Sequence, residues 1–503
     1  MSRFDSVTQT HWHYLLWLKM GIASTEFVNA ERLPLMRYQA SPKLWAWLAM
    51  AGVGMLVVGL LAIGQGAMLR FAFPAVATAV GFYLYWKHPV EYICFVWWLW
   101  FLSPFLRRFV DYQSGWVDPS PVLLAPVMVS FIAGLGFLRH FLPSVRYGGM
   151  PFVLAFAGAI YGFGIGLIRS SFDYTLVQPL LAWLTPIFIG FHLFNNWRDY
   201  PRYRDALQRT FLLGALAMGI YGVAQFMLAP AWDQFWMTNV EYLSFGKPQP
   251  MEIRVFSTLN APGPFSVVMM ACLLLLFSTR NWLKFPALAG GYLSFLLCLT
   301  RAAWIGWAIG LVSLLITMDL KARLRTIAVI LVLAGAVVPL AMMPPFRDVV
   351  VPRLQTFTNA KDDLSLAARM EGYGNYLKDA FLDPLGKGIG VMERSYAVAA
   401  DDEGIGPHDS AILELLLSLG LPGTLLYGLG LIVLLLGLRP RPNTRSDTFV
   451  NAARAISLGM FVQLVLGSVI LGVMGVVLWS FAGVVVAAQM YYANQQDESL
   501  QPV

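Results

Sequence analysis

Long apolar runs recur along almost the whole chain, and they constrain its fold more than any other feature. A hydrocarbon core about 30 Å thick is crossed by roughly 20 apolar residues in helical form, with a range of about 17–25. Runs of that kind fall near 44–63, 67–86, 90–106, 121–139, 151–168, 175–194, 208–229, 262–277, 285–300, 302–317, 326–343, 411–438, 451–470 and 472–491. The run at 90–106 is short and rich in Trp, and the last two nearly abut. A backbone in lipid must satisfy its own hydrogen bonds, and continuous rather than alternating apolar runs do so as helices. The chain therefore reads as an all-α polytopic membrane protein with about 12–14 transmembrane helices. Its divisions are an interfacial segment 1–43, helices with short loops 44–343, a large loop 344–410, further helices 411–491 and a polar tail 492–503.

Composition supports a bilayer solvent: 58% of residues are hydrophobic and only 13% charged, against roughly a quarter charged in soluble domains. The net charge of +7 is no sign of a nucleic-acid partner, because the basic residues concentrate in short loops between spans. Arg139 and Arg146, then Arg198, Arg202, Arg204 and Arg209, then Arg280 and Lys284 occupy alternate connections. Lys321, Arg323 and Arg325, and finally Arg439, Arg441 and Arg445, continue the pattern. By the positive-inside rule these loops, and both termini, are cytoplasmic. Arg107-Arg108, in an expected outer loop 107–120, is the exception.

The other side then carries 230–261, the tight turn at 300–302 and the long 344–409 segment, so Arg254, Arg301 and His408 share one face. Cys94, Cys272 and Cys298 lie inside apolar runs without metal-ligand spacing and read as small core residues. The N-terminal HWHYLLWLKM, with His11 and His13, reads as an aromatic segment lying on headgroups. The tail NQQDESLQPV is expected to be disordered.

Chemistry-bearing residues are few. Arg254 in MEIRVFSTLNAPGPFS reads equally as a snorkelling side chain or a cavity-facing one. Arg301 in CLTRAAWIGW has almost no loop to sit in, which favours a cavity. Two guanidiniums on one face suit a diphosphate, since each planar fork bonds two oxygens and stays charged. His408 in GIGPHDSAILELLL follows Pro407, and Asp409-Ser410 can cap the helix after it. A lone His at a helix start is more often structural than catalytic, although its pKa of about 6.5 suits a general base. Glu414 in the same apolar run is a binding candidate or a partner for a neighbouring helix.

Upstream, Arg369 lies in LAARMEGYGNYLKDAFLDPLGKGIG, where Gly386, Gly388 and Gly390 are compatible with a loop that closely approaches a ligand. That series lacks the setting of a nucleotide fingerprint. The acidic runs Asp362-Asp363 and Asp401-Asp402-Glu403 read as solvated loop charge rather than a metal site.

The order RVFSTLNAPGPFS, LTRAAWIGW, RMEGYGNYLKDAFLDPLGKGIG, PHDSAILELLLSLGLPGTLLYG, from Arg254 to Leu438, resembles the O-antigen ligase and polymerase superfamily. Those proteins are bacterial inner-membrane glycosyltransferases of the C-type architecture with a large extracytoplasmic loop. The resemblance implies that Arg254 and Arg301 bind the diphosphate of an undecaprenyl-diphosphate-linked glycan donor and that His408 activates the acceptor hydroxyl. Arg369 and Glu414 are the further substrate-binding candidates. It also implies a metal-independent reaction without a cofactor, a glycan or lipid acceptor, and neighbours such as a flippase and a chain-length regulator. This chain departs from the family pattern in having Asp409 after the histidine, where Asn is common, and Ser257, where Gly is frequent. The reading favours a polymerase for exopolysaccharide or O-antigen. The alternatives are a ligase moving the glycan to lipid A core or protein, and a flippase for a polyisoprenoid-linked sugar.

Overall fold

The computed structural model describes residues 43–170, 176–240, 245–344, 346–355, 374, 376–391 and 410–500. Among them there is no strand, and extended pairing is limited to one isolated bridge, Gly246 with Ile253. The helices begin with α1 (Lys43–Ala62), α2 (Gly66–Lys87), α3 (Pro89–Ser114), α4 (Leu124–Phe131) and α5 (Gly134–Ser144). Then come α6 (Met150–Arg169), α7 (Val177–Asn195), α8 (Tyr200–Leu228), α9 (Ala231–Asn239), α10 (Pro262–Leu276), α11 (Lys284–Leu297) and α12 (Arg301–Thr317). The last are α13 (Leu320–Ala341), α14 (Phe346–Gln355), α15 (Ala411–Gly437), α16 (Thr448–Leu466) and α17 (Gly472–Leu500).

Among the described residues, eleven helical stretches are long and apolar enough to cross a membrane, α4 and α5 counting as one from Pro121 to Tyr147. The chain is a multi-pass membrane protein of all-α class. Every apolar run in the sequence overlaps a helix, the run 121–139 two of them, but α10, α11 and α12 have only 15, 14 and 17 residues. At 1.5 Å per residue, α10 and α11 reach roughly 20 Å, short of a core about 30 Å thick. The non-helical segments 245–261 and 298–300 lie at the ends of these short helices. Irregular backbone at such depth is tolerated only when protein, not lipid, surrounds it.

Helix pairs approach through small residues, as expected where lipid removes the hydrophobic drive for helix association. Gly158 of α6 sits so close to α15 that a Cβ there would lie 2.7 Å from the Gly423 carbonyl oxygen. Gly219 of α8 similarly faces Gly291 of α11 at 2.7 Å, and Gly306 of α12 faces Gly459 of α16 at 2.9 Å. Gly190 of α7 meets the Trp479 backbone of α17 at 2.5 Å. By contrast α1 buries only Ala46 and Val53, leaving most of its apolar surface for lipid.

Alternate crossings sort the connections into two ends, and the contacts agree. At one end Asp447 accepts from Tyr200 at 2.7 Å and Tyr492 at 2.9 Å while capping α16 through Phe449 N. At the other end α3 meets α9, Phe226 stacks on Phe346, and Ala411 N donates to Gly467 O. This second end, the loop end, gathers the segments 115–120, 229–240, 245–261, 298–300, 376–391 and 467–471.

Several expectations are corrected here. Helix α3 does not stop before an outer loop at 107; it continues to Ser114 and carries Arg107 and Arg108, both buried. Their charges are spent on Asp111, Asp118 and Asp233, so they leave the loop-charge tally. As far as Leu500 the polar tail is helical: α17 runs on to that residue, with Tyr492 anchored on Asp447. Within 344–410, residues 346–355 form α14.

The glycine series approaches helices rather than a ligand. Helix α15 kinks at Gly420 (φ 60°), ahead of Pro422, which frees carbonyls one turn earlier. Lys387 N donates to Leu417 O at 2.7 Å, Gly388 N to Ser418 O at 3.1 Å, and Ile389 N to Gly162 O of α6 at 3.0 Å. Arg169 clamps the approach by a paired bond to Asp383 at 2.5 and 2.6 Å. Gly388 has φ 91°, and a Cβ there would strike the backbone of Gly166. Gly388→Ala should therefore cost about 2–4 kcal/mol, combining left-handed strain with overpacking. Unfolding of the detergent-solubilised protein followed by tryptophan fluorescence measures this loss, and an unchanged transition would refute the fit.

Candidate functional site

The loop end is built around two short irregular segments. In the first, Arg254 N donates to Phe245 O at 2.7 Å and Lys247 N to Glu252 O at 3.1 Å, closing a compact hairpin. An ion pair from Lys247 to Glu252 at 2.8 Å lies on its exposed side. Met251 N ties the hairpin to the last turn of α8 through Phe226 O at 2.7 Å. The chain then buries Ile253, Val255 and Phe256 completely, and between 253 and 260 only Arg254 and Asn260 are partly exposed.

The second segment is the turn Cys298-Leu299-Thr300 between α11 and α12, with Leu299 at φ 55°. The two segments touch directly. Val255 N donates to Leu297 O at 3.1 Å, and the Arg254 guanidinium reaches Cys298 O through Nε at 3.4 Å and Nη2 at 3.3 Å. Arg301 is the first residue of α12, immediately beyond that turn. Arg254 thus rests on the turn that leads into Arg301, and both residues are half-buried. Arg301 stands at a helix N-terminus whose unsatisfied N–H groups add partial positive charge. Helix α10 also begins here, with Pro262 in its first turn. Cationic residues and helix N-termini at one end of a bundle are the kinds of group that suit phosphate oxygens. On the first segment, Thr258 Oγ1 and Asn260 Oδ1 are buried without a protein partner, an arrangement usually met where a further polar group is accommodated.

Beneath the hairpin lies a polar cluster that the sequence reading passed over. Arg108, fully buried, gives one guanidinium nitrogen to Asp233 Oδ1 and another to Ser257 O. Asp233, also fully buried, accepts from Tyr221 OH at 2.6 Å and Gln225 Nε2 at 2.9 Å. Gln225 Oε1 in turn accepts from Phe256 N at 3.0 Å and Ser257 N at 2.8 Å. The guanidinium of Arg108 lies 4.9 Å from the Phe256 ring centroid and 5.3 Å from that of Phe105. Beside it, Arg107 bonds Asp111 at 3.1 Å and Asp118 at 2.8 Å, with Trp116 and Trp236 over its face. Two signals in the sequence pointed here: Arg107-Arg108 broke the charge alternation, and Asp233 is a carboxylate inside AWDQFW.

Glu414 lies elsewhere at the same end. It is 2% exposed on the first turn of α15 and accepts from the Ser468 hydroxyl of the 467–471 segment. Ser410 caps that helix through Ile412 N at 3.3 Å, as its sequence position implied. The contacts therefore bring Arg254 to the turn before Arg301, whereas the bond from Ser468 ties Glu414 to another segment. His408, Asp409, Arg369, the acidic runs at 362–363 and 401–403, and the N-terminal His11 and His13 lie outside the described residues. Cys94, Cys272 and Cys298 are buried thiols within the helical core.

No protein-family model matches this sequence, and no curated protein matches it.

Proposed function

We propose that this protein is a glycosyltransferase that polymerises undecaprenyl-diphosphate-linked oligosaccharides on the periplasmic face of the bacterial inner membrane. The observation that carries the reading is the junction of the two irregular segments, where Arg254 rests on the turn that leads into Arg301. In this reading the basic loops and both termini are cytoplasmic, and the loop end faces the periplasm.

Arg254 and Arg301 hold the donor diphosphate and neutralise the charge that grows on it as the bond to the anomeric carbon breaks. Thr258 and Asn260 add polar contacts on the same segment. His408 takes the proton of the acceptor hydroxyl as its oxygen attacks that carbon, and undecaprenyl diphosphate departs with the electron pair. Binding charge comes from guanidiniums, whose protonation is indifferent to pH, and base strength from one imidazole.

The test is to reconstitute the purified protein in liposomes with an undecaprenyl-diphosphate-linked oligosaccharide and to identify the products by mass spectrometry. Lengthened lipid-linked glycan and released undecaprenyl diphosphate are expected, with Arg254→Ala slower by about 10²-fold or more. Transfer only to an added lipid A core would identify a ligase. Movement of intact donor across the bilayer without a product would identify a flippase.

A further inference from the structure

We propose that the buried Arg108–Asp233–Gln225 cluster is a clamp that positions Arg254. Each polar group of Ser257, three residues beyond Arg254, is held by another part of the protein. Its N–H goes to Gln225 Oε1 at 2.8 Å, its carbonyl oxygen accepts from Arg108, and its hydroxyl donates to Met218 O at 2.6 Å. The preceding amide, Phe256 N, shares the same Gln225 oxygen at 3.0 Å. These bonds hold Ser257 at φ 50°, a left-handed conformation that a non-glycine residue adopts only when its surroundings impose it. On the other side Arg254 N is tied to Phe245 O at 2.7 Å. The backbone that carries the guanidinium is thus pinned on both flanks.

The cluster is electrically closed. Arg108 and Asp233 are both 0% exposed and paired with each other, so their charges cancel inside the protein. A ligand anion at the junction meets the charge of Arg254 and Arg301, not that of Arg108. Arg108, Asp233 and Gln225 are therefore positioning residues, acting through the loop and not on substrate. This consequence for ligand binding rests on the reading of Arg254 as an anion-binding group; the clamp itself does not.

The experiment compares full-length wild type, Arg108→Lys and Tyr221→Phe in detergent. Lysine keeps a charge for Asp233 but has no second arm for Ser257 O. Phenylalanine removes a bond to Asp233 that does not touch the loop. Hydrogen exchange resolved to 245–261 and 262–276 is measured, together with binding of inorganic pyrophosphate. In Arg108→Lys, exchange of 245–261 is expected to quicken about tenfold while 262–276 stays as in wild type, and pyrophosphate binding to weaken about tenfold. Tyr221→Phe is expected to leave both readouts near wild type. Unchanged exchange in Arg108→Lys, or equal loosening of both segments, would overturn the clamp. So would a loosened loop with undiminished pyrophosphate affinity. If wild type itself binds no pyrophosphate, it is the reading of Arg254 as an anion site that fails, and exchange alone decides the clamp.

Discussion

Asp233→Leu is expected to cost about 3–5 kcal/mol of stability, because it leaves the buried charge of Arg108 unpaired. The carboxylate is 0% exposed and receives Arg108, Tyr221 and Gln225. Removing it strands a guanidinium, itself 0% exposed, among Phe105 and Phe256, where its desolvation is no longer offset. The phenol of Tyr221 and the amide of Gln225 lose an acceptor at the same time. The companion variant makes the cause visible. Arg108→Leu combined with Asp233→Leu removes both charges, and apolar replacement of a buried pair is often nearly neutral. The double variant should therefore recover most of the loss. Guanidinium-free unfolding in mixed micelles, read by tryptophan fluorescence, measures all three proteins. A double variant as unstable as Asp233→Leu would show that packing, not an unpaired charge, sets the cost.

The largest functional effect is expected at His408. His408→Ala should lower turnover of the lipid-linked oligosaccharide by about 10²–10⁴-fold, the usual worth of a general base. The pH profile separates a base from a residue that merely shapes the loop. An imidazole must be neutral to accept the proton, so the wild-type rate should rise with pH as the ring loses its charge and then level off. In His408→Ala that rise should vanish together with the rate. Arg301→Lys provides the contrast: a point charge replaces a fork, so the rate should fall while the shape of the pH profile is kept. A His408→Ala protein that retains full turnover, or keeps the same pH-dependent rise, would remove the histidine from the mechanism.

Most of the helices were legible before the structure because the bilayer leaves an apolar run few alternatives. The runs at 44–63, 151–168 and 411–438 became α1, α6 and α15 within a residue or two. Boundaries failed where a polar residue continues a helix instead of ending it. Tyr200 starts α8 well before the apolar stretch at 208, because Asp447 receives its hydroxyl from across the bundle. Arg108 reads as a loop residue for a related reason: its partner Asp233 lies outside α3, so no local pattern announces that its charge is neutralised, whereas Arg107 has a local signal in Asp111, four residues on in the same helix. The glycine series at 386–390 is ambiguous in the sequence because close approach suits a ligand and a neighbouring backbone equally. The kink at Gly420 and the face of α6 decide for the backbone.

The local composition of each segment determined that this chain is a helical membrane protein, where its apolar helices lie, and that Arg254 and Arg301 sit at their margins. Hydrophobic length and backbone self-satisfaction are local properties, so a linear reading captures them. Tertiary structure alone decided that Arg254 lies on the turn before Arg301, that Glu414 turns to Ser468, and that Arg108 and Asp233 brace the loop. Those facts depend on pairings between distant parts of the chain, Arg108 with Asp233 and Val255 with Leu297 among them. Burial makes such polar pairings strong because an unmade one is costly, and only the packed bundle determines which groups are buried together.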